Sequence, residues 1–538
     1  MLAGTPIILL KEGTERAEGK DAQRDNIGAA YAVANSLRTT LGPRGMDKMM
    51  VGARGDVVIT NDGATILKEM EIQHPAAKIL VEVAKTQDLE CGDGTKTAVI
   101  LTGELLHRAE DLLDEKIHPT AITTGYQIAA EEALKVLTAL GRPVRREDTE
   151  ALRAIAMTSM ISKGVAAQRE TLGRLAVRAV LEVIEERDGK LRFDRKNIQM
   201  VKKQGGEVHD TELLEGRILE KEAVHPSMPR RVTPARIALV EAAFEVKKTE
   251  YSAEIRITSP DQLDAFRAEE ERMLAAMAKA IVASGANVLV CEKGIEDSVA
   301  ERLAKEGIYA VKQAKREDLE MLAKATGARI VVRAADLAPA DVGRAERVED
   351  RQIGEDHLTL ITGCEHARSV SLLIRGGTEH VVTEVERCFT DALTTVGIAL
   401  EDGYVLTGAG ATAAELSLRI RTFAANVGGR EQMAVLAFAD AMDIIPATLA
   451  ESAGMDKIDA LIELRHQHAG GRTDVGVDVL AAKIAEMGAV AVEPIRVSRQ
   501  AIEGAVAAAT LLLRIDAVIS AKRSGAGAAP PPGGGPGF

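Results

Sequence analysis

The period of the hydrophobic pattern changes in the middle of this chain, and that change restricts its possible folds more than any single motif does. The segments Ile237-Ala238-Leu239-Val240, Asn287-Val288-Leu289-Val290, Ile308-Tyr309-Ala310-Val311 and Ile330-Val331-Val332 are short apolar runs, with helical stretches between the last three. Strands alternating with helices predict a compact α/β domain. On either side the spacing is helical. Apolar residues from Asp21 to about Thr40 follow helix periodicity until Leu41-Gly42-Pro43-Arg44-Gly45 stops it. A longer run carries Ala98, Leu101, Leu105, Leu106, Ala109, Leu112 and Leu113 on one side and ends near His118-Pro119. The last third is Ala- and Leu-rich helix, punctuated by Gly408-Ala409-Gly410-Ala411 and Gly476-Val477-Asp478-Val479. At 538 residues one core does not suffice, and the length suggests roughly three or four domains. With no tryptophan and 2% aromatic residues the cores must be built from Ala, Val, Ile, Leu and Met, which favours helix-rich α/β packing over a β-sandwich.

An unusually long insertion separates the first two strands, from about Lys248 to Ser284. Its main helix opens with Ser259-Pro260-Asp261-Gln262, a capping box with Pro at the first helical position. The stripe Leu263, Phe266, Met273, Met277 and Ile281 is interrupted by Glu269-Glu270-Glu271-Arg272. Such a broken stripe suits a projecting arm and equally an ordinary amphipathic surface helix. The Gly/Pro-rich tail Ser524 to Phe538 cannot bury a core and is expected to be disordered.

Charge and cysteine usage exclude several function classes. A formal net charge of −13 argues against a general nucleic-acid binder, which needs a basic face. Met1 to Ile7 has no basic region before its short apolar stretch, and no run is expected to reach the ~18 apolar residues of a membrane span. Cys91, Cys291, Cys364 and Cys388 lie far apart, so neither a disulfide framework nor a zinc site is indicated, and a reducing cytoplasm fits. His466-Gln467-His468 has no nearby third ligand and is a weak metal signal.

The chemistry-bearing segment is Gly92-Asp93-Gly94-Thr95-Lys96-Thr97, directly before the helical run Ala98-Val99-Ile100-Leu101. Glycines let backbone N–H groups approach an anion, and the first turn of a helix offers unpaired N–H groups and a positive dipole end. Asp93 would repel a phosphate unless a divalent cation lay between them, so the turn implies Mg²⁺ with nucleotide. It is not a P-loop, since Lys96 follows Thr95 where that motif needs glycine. Taken alone, the same turn is also an ordinary helix start. Upstream, Gly55 to Thr60 forms a β-branched strand closed by Asn61-Asp62-Gly63, after which Ala64 to Glu69 resumes a helix. Turns of this composition usually have no further role.

With these motifs in order, the chain resembles the thermosome-type chaperonins, group II of archaea together with the similar group III of some bacteria. The likeness runs from about Gly4 to Lys522. It rests on Leu41-Gly42-Pro43-Arg44-Gly45-Met46-Asp47-Lys48, Asn61-Asp62-Gly63-Ala64-Thr65, Gly92-Asp93-Gly94-Thr95, Lys202-Lys203-Gln204-Gly205-Gly206 and Glu493-Pro494-Ile495-Arg496-Val497. The resemblance implies a mixed α/β multidomain subunit. Its mainly α-helical equatorial domain would comprise residues 1–143 and 399–523, and its α/β intermediate domain residues 144–212 and 368–398. An α/β apical domain, residues 213–367, would carry a helical protrusion at about 248–284, with a tail at 524–538. It also implies an ATP-hydrolysing double ring, with about eight subunits per ring, that encloses and folds unfolded polypeptides. The protrusion would be a built-in lid replacing a separate cochaperonin. A passive polypeptide-holding ring with weak or no ATPase is the alternative.

Site roles follow from the same likeness. Asp93 would coordinate Mg²⁺ on the ATP phosphates, while Gly92, Gly94, Thr95 and Thr97 supply backbone and hydroxyl contacts. Asp391 would orient the attacking water, with Asp62 a second acid beside it and Gly63 adjoining the phosphates. Leu41, Gly42, Pro43, Gly408, Ala409 and Gly410 would line the nucleotide site. Val477 and Asp478 would lie near the adenine, Glu493 near the ribose, and Lys163 in a nucleotide-sensing loop. Without the likeness, Asp391 reads as a solvated helix acid and Lys163 as a helix-end lysine. Four positions depart from the family pattern: Lys96 for a threonine, Ala409 for glycine, Ser452 for asparagine and Ser498 for lysine. Lys96 is the most consequential. In relatives that threonine helps hold a monovalent cation, so the ammonium is expected to replace K⁺; the rival reading points Lys96 to solvent, in an exposed pair worth ~0–1 kcal/mol. Ala409 is expected to restrict the backbone and narrow the pocket.

Overall fold

Helices at the two ends of the chain pack against one another through small residues rather than large ones. In the computed structural model, which describes residues 14–52, 55, 57–161, 168–245, 260–364 and 369–521, two units emerge. The first contains residues 1–142, 406–491 and 495–538. Within it the helix Gly19–Arg38 lies on Thr95–Asp114, and Pro119–Leu140 on Glu431–Met442. A Cβ at Gly103 would sit 2.2 Å from the Ala34 methyl, and one at Gly125 would sit 2.5 Å from that of Ala434. Helix axes therefore approach closely where glycine meets alanine, which is how an aromatic-poor chain reaches native packing density. Tyr126 meets Phe438 edge-on in this core, and the Tyr126 hydroxyl donates to Leu105 O at 2.7 Å.

Short two-stranded sheets decorate this helical core: Thr14–Glu18 with Ala517–Ala521, Lys48–Val51 with Val57–Thr60, and Val475–Asp478 with Lys483–Glu486. The expectation of no membrane-length apolar run needs correction. Glu431–Ala453 is long and apolar enough, but 72% of that window is buried. The chain there forms two helices meeting at Asp443, whose carboxylate accepts from Arg421 and Arg465. A mostly buried helix pair in an aliphatic core has the same composition as a span.

The second unit contains residues 143–405 and 492–494 and has two principal cores. In one, the four short apolar runs of the sequence become parallel strands of a single sheet: Ala235–Val240 pairs with Val288–Cys291 and with Ile330–Val331, and Val288–Cys291 pairs with Tyr309–Val311. Antiparallel strands Gly343–Ile353, Asp356–Cys364 and Gly216–Leu219 extend it. In the other core, Ile198–Gln204, Val370–Gly376 and Glu212–Leu214 form a three-stranded sheet, packed with helices Thr149–Met160, Arg169–Val183 and Glu379–Asp402. The last of these runs unbroken through residues 398–399 to an αL cap at Gly403, so the boundary expected at 398/399 falls inside a helix. The insertion helix spans Pro260–Ser284. Its buried apolar positions among the described side chains are Leu274, Ala278 and Ile281, with Met277 partly buried beside them, whereas Phe266 and Met273 are exposed. The packing face is thus turned from the expected stripe, because alanine contributes to it as well as the larger side chains. Ser259, the rest of the capping box's upstream side, and the Gly/Pro tail lie outside the described residues.

Candidate functional site

Two left-handed glycines shape the phosphate-type turn. Gly92 ends the helix Pro75–Cys91 at φ 66°, and Gly94 begins Thr95–Asp114 at φ 79° with no side-chain cap on the new helix. A helix start uncapped by its own side chain leaves its first N–H groups for an anion. Within the turn, Asp93 Oδ1 accepts from the Gly94 N–H at 2.7 Å. Gln87, fully buried, donates through Nε2 to Asp93 O at 2.9 Å and to Val497 O at 3.1 Å. A Cβ on Gly94 would meet Val497 at 2.7 Å and Gln87 at 2.9 Å, so only glycine fits.

The Asp62 turn lies against this one. Asp62 caps the helix Gly63–Glu69 by accepting from Thr65 N at 2.8 Å, and a Cβ on Gly63 would lie 2.8 Å from Thr95 Oγ1 and 2.9 Å from Lys96 Cγ. Lys96 does not point to solvent. Its Nζ donates to Thr40 O at 2.8 Å and to Asn61 Oδ1, and Asn61 in turn donates to Gly45 O at 3.1 Å. One ammonium thus joins the 40–45 loop, the Asn61-Asp62-Gly63 turn and the Gly92–Thr97 turn.

A single helix face seats the remaining loops. Gly42 (φ 80°) would place a Cβ 2.5 Å from Leu449, and Gly410 (φ 77°) one 2.9 Å from Pro446. Pro446 and Leu449 are three residues apart on the helix Ile444–Ala453, hence neighbours on one face. Ala409 accepts the Val477 N–H at 2.9 Å and holds φ 54°, a left-handed conformation that costs a residue with a Cβ. Asp478 accepts from Ala481 N at 3.0 Å, and Arg44 donates to Ala453 O and Leu480 O. Gly42, Asp62, Gly63, Asp93, Gly94, Thr95, Lys96, Ala409, Gly410 and Val477 are therefore linked by successive contacts within one unit, with Leu41, Pro43, Gly92, Thr97, Gly408 and Asp478 on the same loops and strands.

Asp391 and Glu493 belong to the other unit. Asp391 is 8% exposed on the helix Glu379–Asp402, so the reading of a solvated helix acid fails. Glu493 sits in the strand Val492–Pro494, whose Val492 N–H donates to Thr158 Oγ1 at 3.1 Å. Lys163 lies outside the described residues. The His466/His468 metal reading fails as well: His468 is buried, with Nδ1 at 2.7 Å from Glu415 Oε2 and Nε2 at 2.8 Å from Val475 O. Sequence reasoning missed Gln87, Thr40 and Asn61 as positioning groups. Asn61 stood inside a motif already singled out, whereas a lone glutamine in a helix carries no local signal.

Among the described residues no group of three or more His, Cys, Asp or Glu could hold a metal.

Comparison with known proteins places this geometry in context. The model of the TCP-1/cpn60 chaperonin family matches residues 33–523. A thermosome subunit of Pyrococcus abyssi is 52% identical over 523 residues, covering 97% of this chain and 95% of the relative. A thermosome subunit of Methanopyrus kandleri is 52% identical over 525 residues, with 97% and 96% coverage. Among solved structures, the open-state monomer of a group II chaperonin from Methanococcoides burtonii matches with a TM-score of 0.59 at 38% identity, covering 79% of this chain and all of that one.

Proposed function

This chain belongs to the TCP-1/cpn60 chaperonin family, and on that premise we propose that it is a ring-forming, ATP-hydrolysing chaperone of the cytoplasm. It encloses unfolded polypeptide beneath its own helical protrusion and folds it. The observation that carries the nucleotide reading is the uncapped helix start at Thr95, flanked by Asp93 and packed on the Asp62 turn through Gly63.

Phosphoryl transfer asks a protein for position and charge neutralisation more than for covalent chemistry. The N–H groups after Gly94, with the Thr95 and Thr97 hydroxyls, would hold phosphate oxygens, and Asp93 would hold Mg²⁺, which supplies neutralisation of phosphate charge when bound. Leu41, Gly42, Pro43 and the Gly408–Gly410 turn wall the nucleotide; Val477 and Asp478 lie toward the base and Glu493 toward the ribose. Asp62 and Asp391 orient water for in-line attack, and Lys163 reports the γ-phosphate. By the family likeness, Asp391 would complete the site on closure and so couple hydrolysis to conformational change. The Lys96 ammonium, bonded to a backbone carbonyl and an amide oxygen, has the donor-to-oxygen geometry that lets it stand for K⁺.

Self-association is supported by the sheet Lys48–Val51/Val57–Thr60. Met49, Val51, Val57 and Ile59 share one of its faces and all are exposed. An isolated two-stranded sheet with a bare apolar face is marginal alone and is a natural interface between copies.

Steady-state ATP hydrolysis by wild type and Asp391→Ala tests the reading. A folding machine loses most of its turnover in the variant while still binding ATP; equal rates in both would leave a passive holding scaffold instead.

A further inference from the structure

Away from the phosphate turn, the second unit contains a cleft of about 370 Å³, a volume in the range of small-ligand sites. Its apolar wall includes Val183, Phe193, Met321 and Ala325. Three cations reach it from separate elements: Arg187 on the strand Glu185–Arg187, Arg192 at the end of Lys190–Arg192, and Lys324 on the helix Arg316–Thr326. The lining also carries two carboxylates, Glu185 and Asp194. Glu185 pairs with Arg187 at 2.7 Å, and Asp194 accepts from the Lys196 N–H at 3.0 Å. Among the described residues neither Arg192 nor Lys324 has a carboxylate partner.

A second observation points to a ligand. Ser369, 5% exposed, lines the same cleft, and its Oγ has no hydrogen-bond partner among the described residues. Buried hydroxyls are nearly always satisfied, so an orphan in a cleft wall marks a place where a partner is missing. The half-buried Asn197 adds an amide to the same lining. An apolar wall with a few convergent polar groups and two uncommitted cations is the composition of a site for an anion attached to a hydrophobic body.

We propose that this cleft binds a small organic oxyanion, a phosphate monoester or a carboxylate carried on an apolar group, through Arg192, Lys324 and the Ser369 hydroxyl. Bound there, the ligand ties the helix Arg316–Thr326 to the 185–197 segment. The site shares no residue with the phosphate turn at Gly92–Thr97.

Calorimetric titration of the full-length assembled protein with phenyl phosphate, benzoate and neutral benzyl alcohol tests this. Saturable binding is expected for at least one oxyanion, and the tighter of the two tells phosphate from carboxylate recognition. Loss of the two charge-assisted contacts in Arg192→Gln/Lys324→Gln should weaken it at least about tenfold. Both side chains are exposed, and circular dichroism checks that the variant folds. Asp93→Ala should bind as wild type does. No binding of either oxyanion, equal binding of benzyl alcohol, an unaltered double variant, or loss of binding in Asp93→Ala each overturns the proposal.

Discussion

A lysine ammonium hydrogen-bonded to two oxygens does for a loop junction what a bound monovalent cation does, but it cannot be washed away. Lys96 Nζ reaches Thr40 O and Asn61 Oδ1, so its removal should make the junction dependent on a dissolved ion. In Lys96→Thr, ATP turnover should fall about tenfold or more when K⁺ is replaced by a large organic cation, while wild type changes less than about twofold. Equal K⁺ dependence in the two would refute the substitution. Ala409 presents a different residue-scale cost. At φ 54° its methyl group opposes the backbone, so Ala409→Gly should stabilise the first unit by ~0.5–1 kcal/mol in urea unfolding, the relief of strain exceeding the entropy glycine adds to the unfolded chain. Glu415 supplies a pH handle. Burial pushes its carboxyl up, but hydrogen bonds from His468 and Arg419 outweigh that and hold it below the ordinary carboxylate value. A depressed folded-state value contributes stability above the unfolded-state value and loses it as pH falls through the folded one. Wild type should therefore weaken as pH drops below the usual glutamate range, and Glu415→Gln should show a shallower acid limb in the same urea titrations. Removing the partner instead, in His468→Ala, leaves Arg419 on Glu415 Oε1 but strips Glu415 Oε2 and Val475 O of their bonds to the ring, and should cost about 1–3 kcal/mol.

Between elements, the decisive dimension is the distance of helix axes. The approach of Gly19–Arg38 to Thr95–Asp114 leaves 2.2 Å for a methyl at Gly103, whereas Gly28, on the first of those helices, has nothing within 4 Å. Gly103→Ala should destabilise by ~1–3 kcal/mol through overpacking and loosen nucleotide binding at the helix start. Gly28→Ala should be neutral or stabilising by up to ~1 kcal/mol; equal thermal shifts for the two would contradict the close approach. The same scale explains what the sequence made legible. Periodicity exposed the parallel strands at 237–240, 288–291 and 309–311, and local composition exposed the Gly92–Gly94 turn and the Asp62 cap, because each is decided within a few residues. The Lys96 bonds span 56 and 35 residues, and Gln87 reaches Val497 across 410. No local pattern encodes contacts at those separations. The insertion helix keeps Ile281 and Met277 of the expected stripe against its core but adds Leu274 and Ala278, because its seat is set by the helix Asp297–Lys305 it meets, a later element of the chain.

At the scale of the whole molecule, the question is which exposed surfaces the chain would cover in its working state. Met49 opposes Ile59 and Val51 opposes Val57 across one face of a two-stranded sheet, with relative exposures of 66%, 59%, 66% and 49%. The strands continue into the Asn61-Asp62-Gly63 turn, so whatever covers this face is mechanically joined to the acid proposed beside the γ-phosphate. If the cover is a second copy, assembly and hydrolysis share an element, and breaking the one should weaken the other. Ile59→Lys puts a charge on the face without touching the buried core, and a charge held in an apolar interface is strongly unfavourable. Sedimentation velocity should then show the variant shifting from a ring-sized particle to free subunits, with far-ultraviolet circular dichroism unchanged and ATP turnover reduced several-fold. A variant that sediments as wild type does would mean the face is covered by something other than a neighbouring copy, and the coupling of the ring to the Asp62 turn would have to run through a different contact.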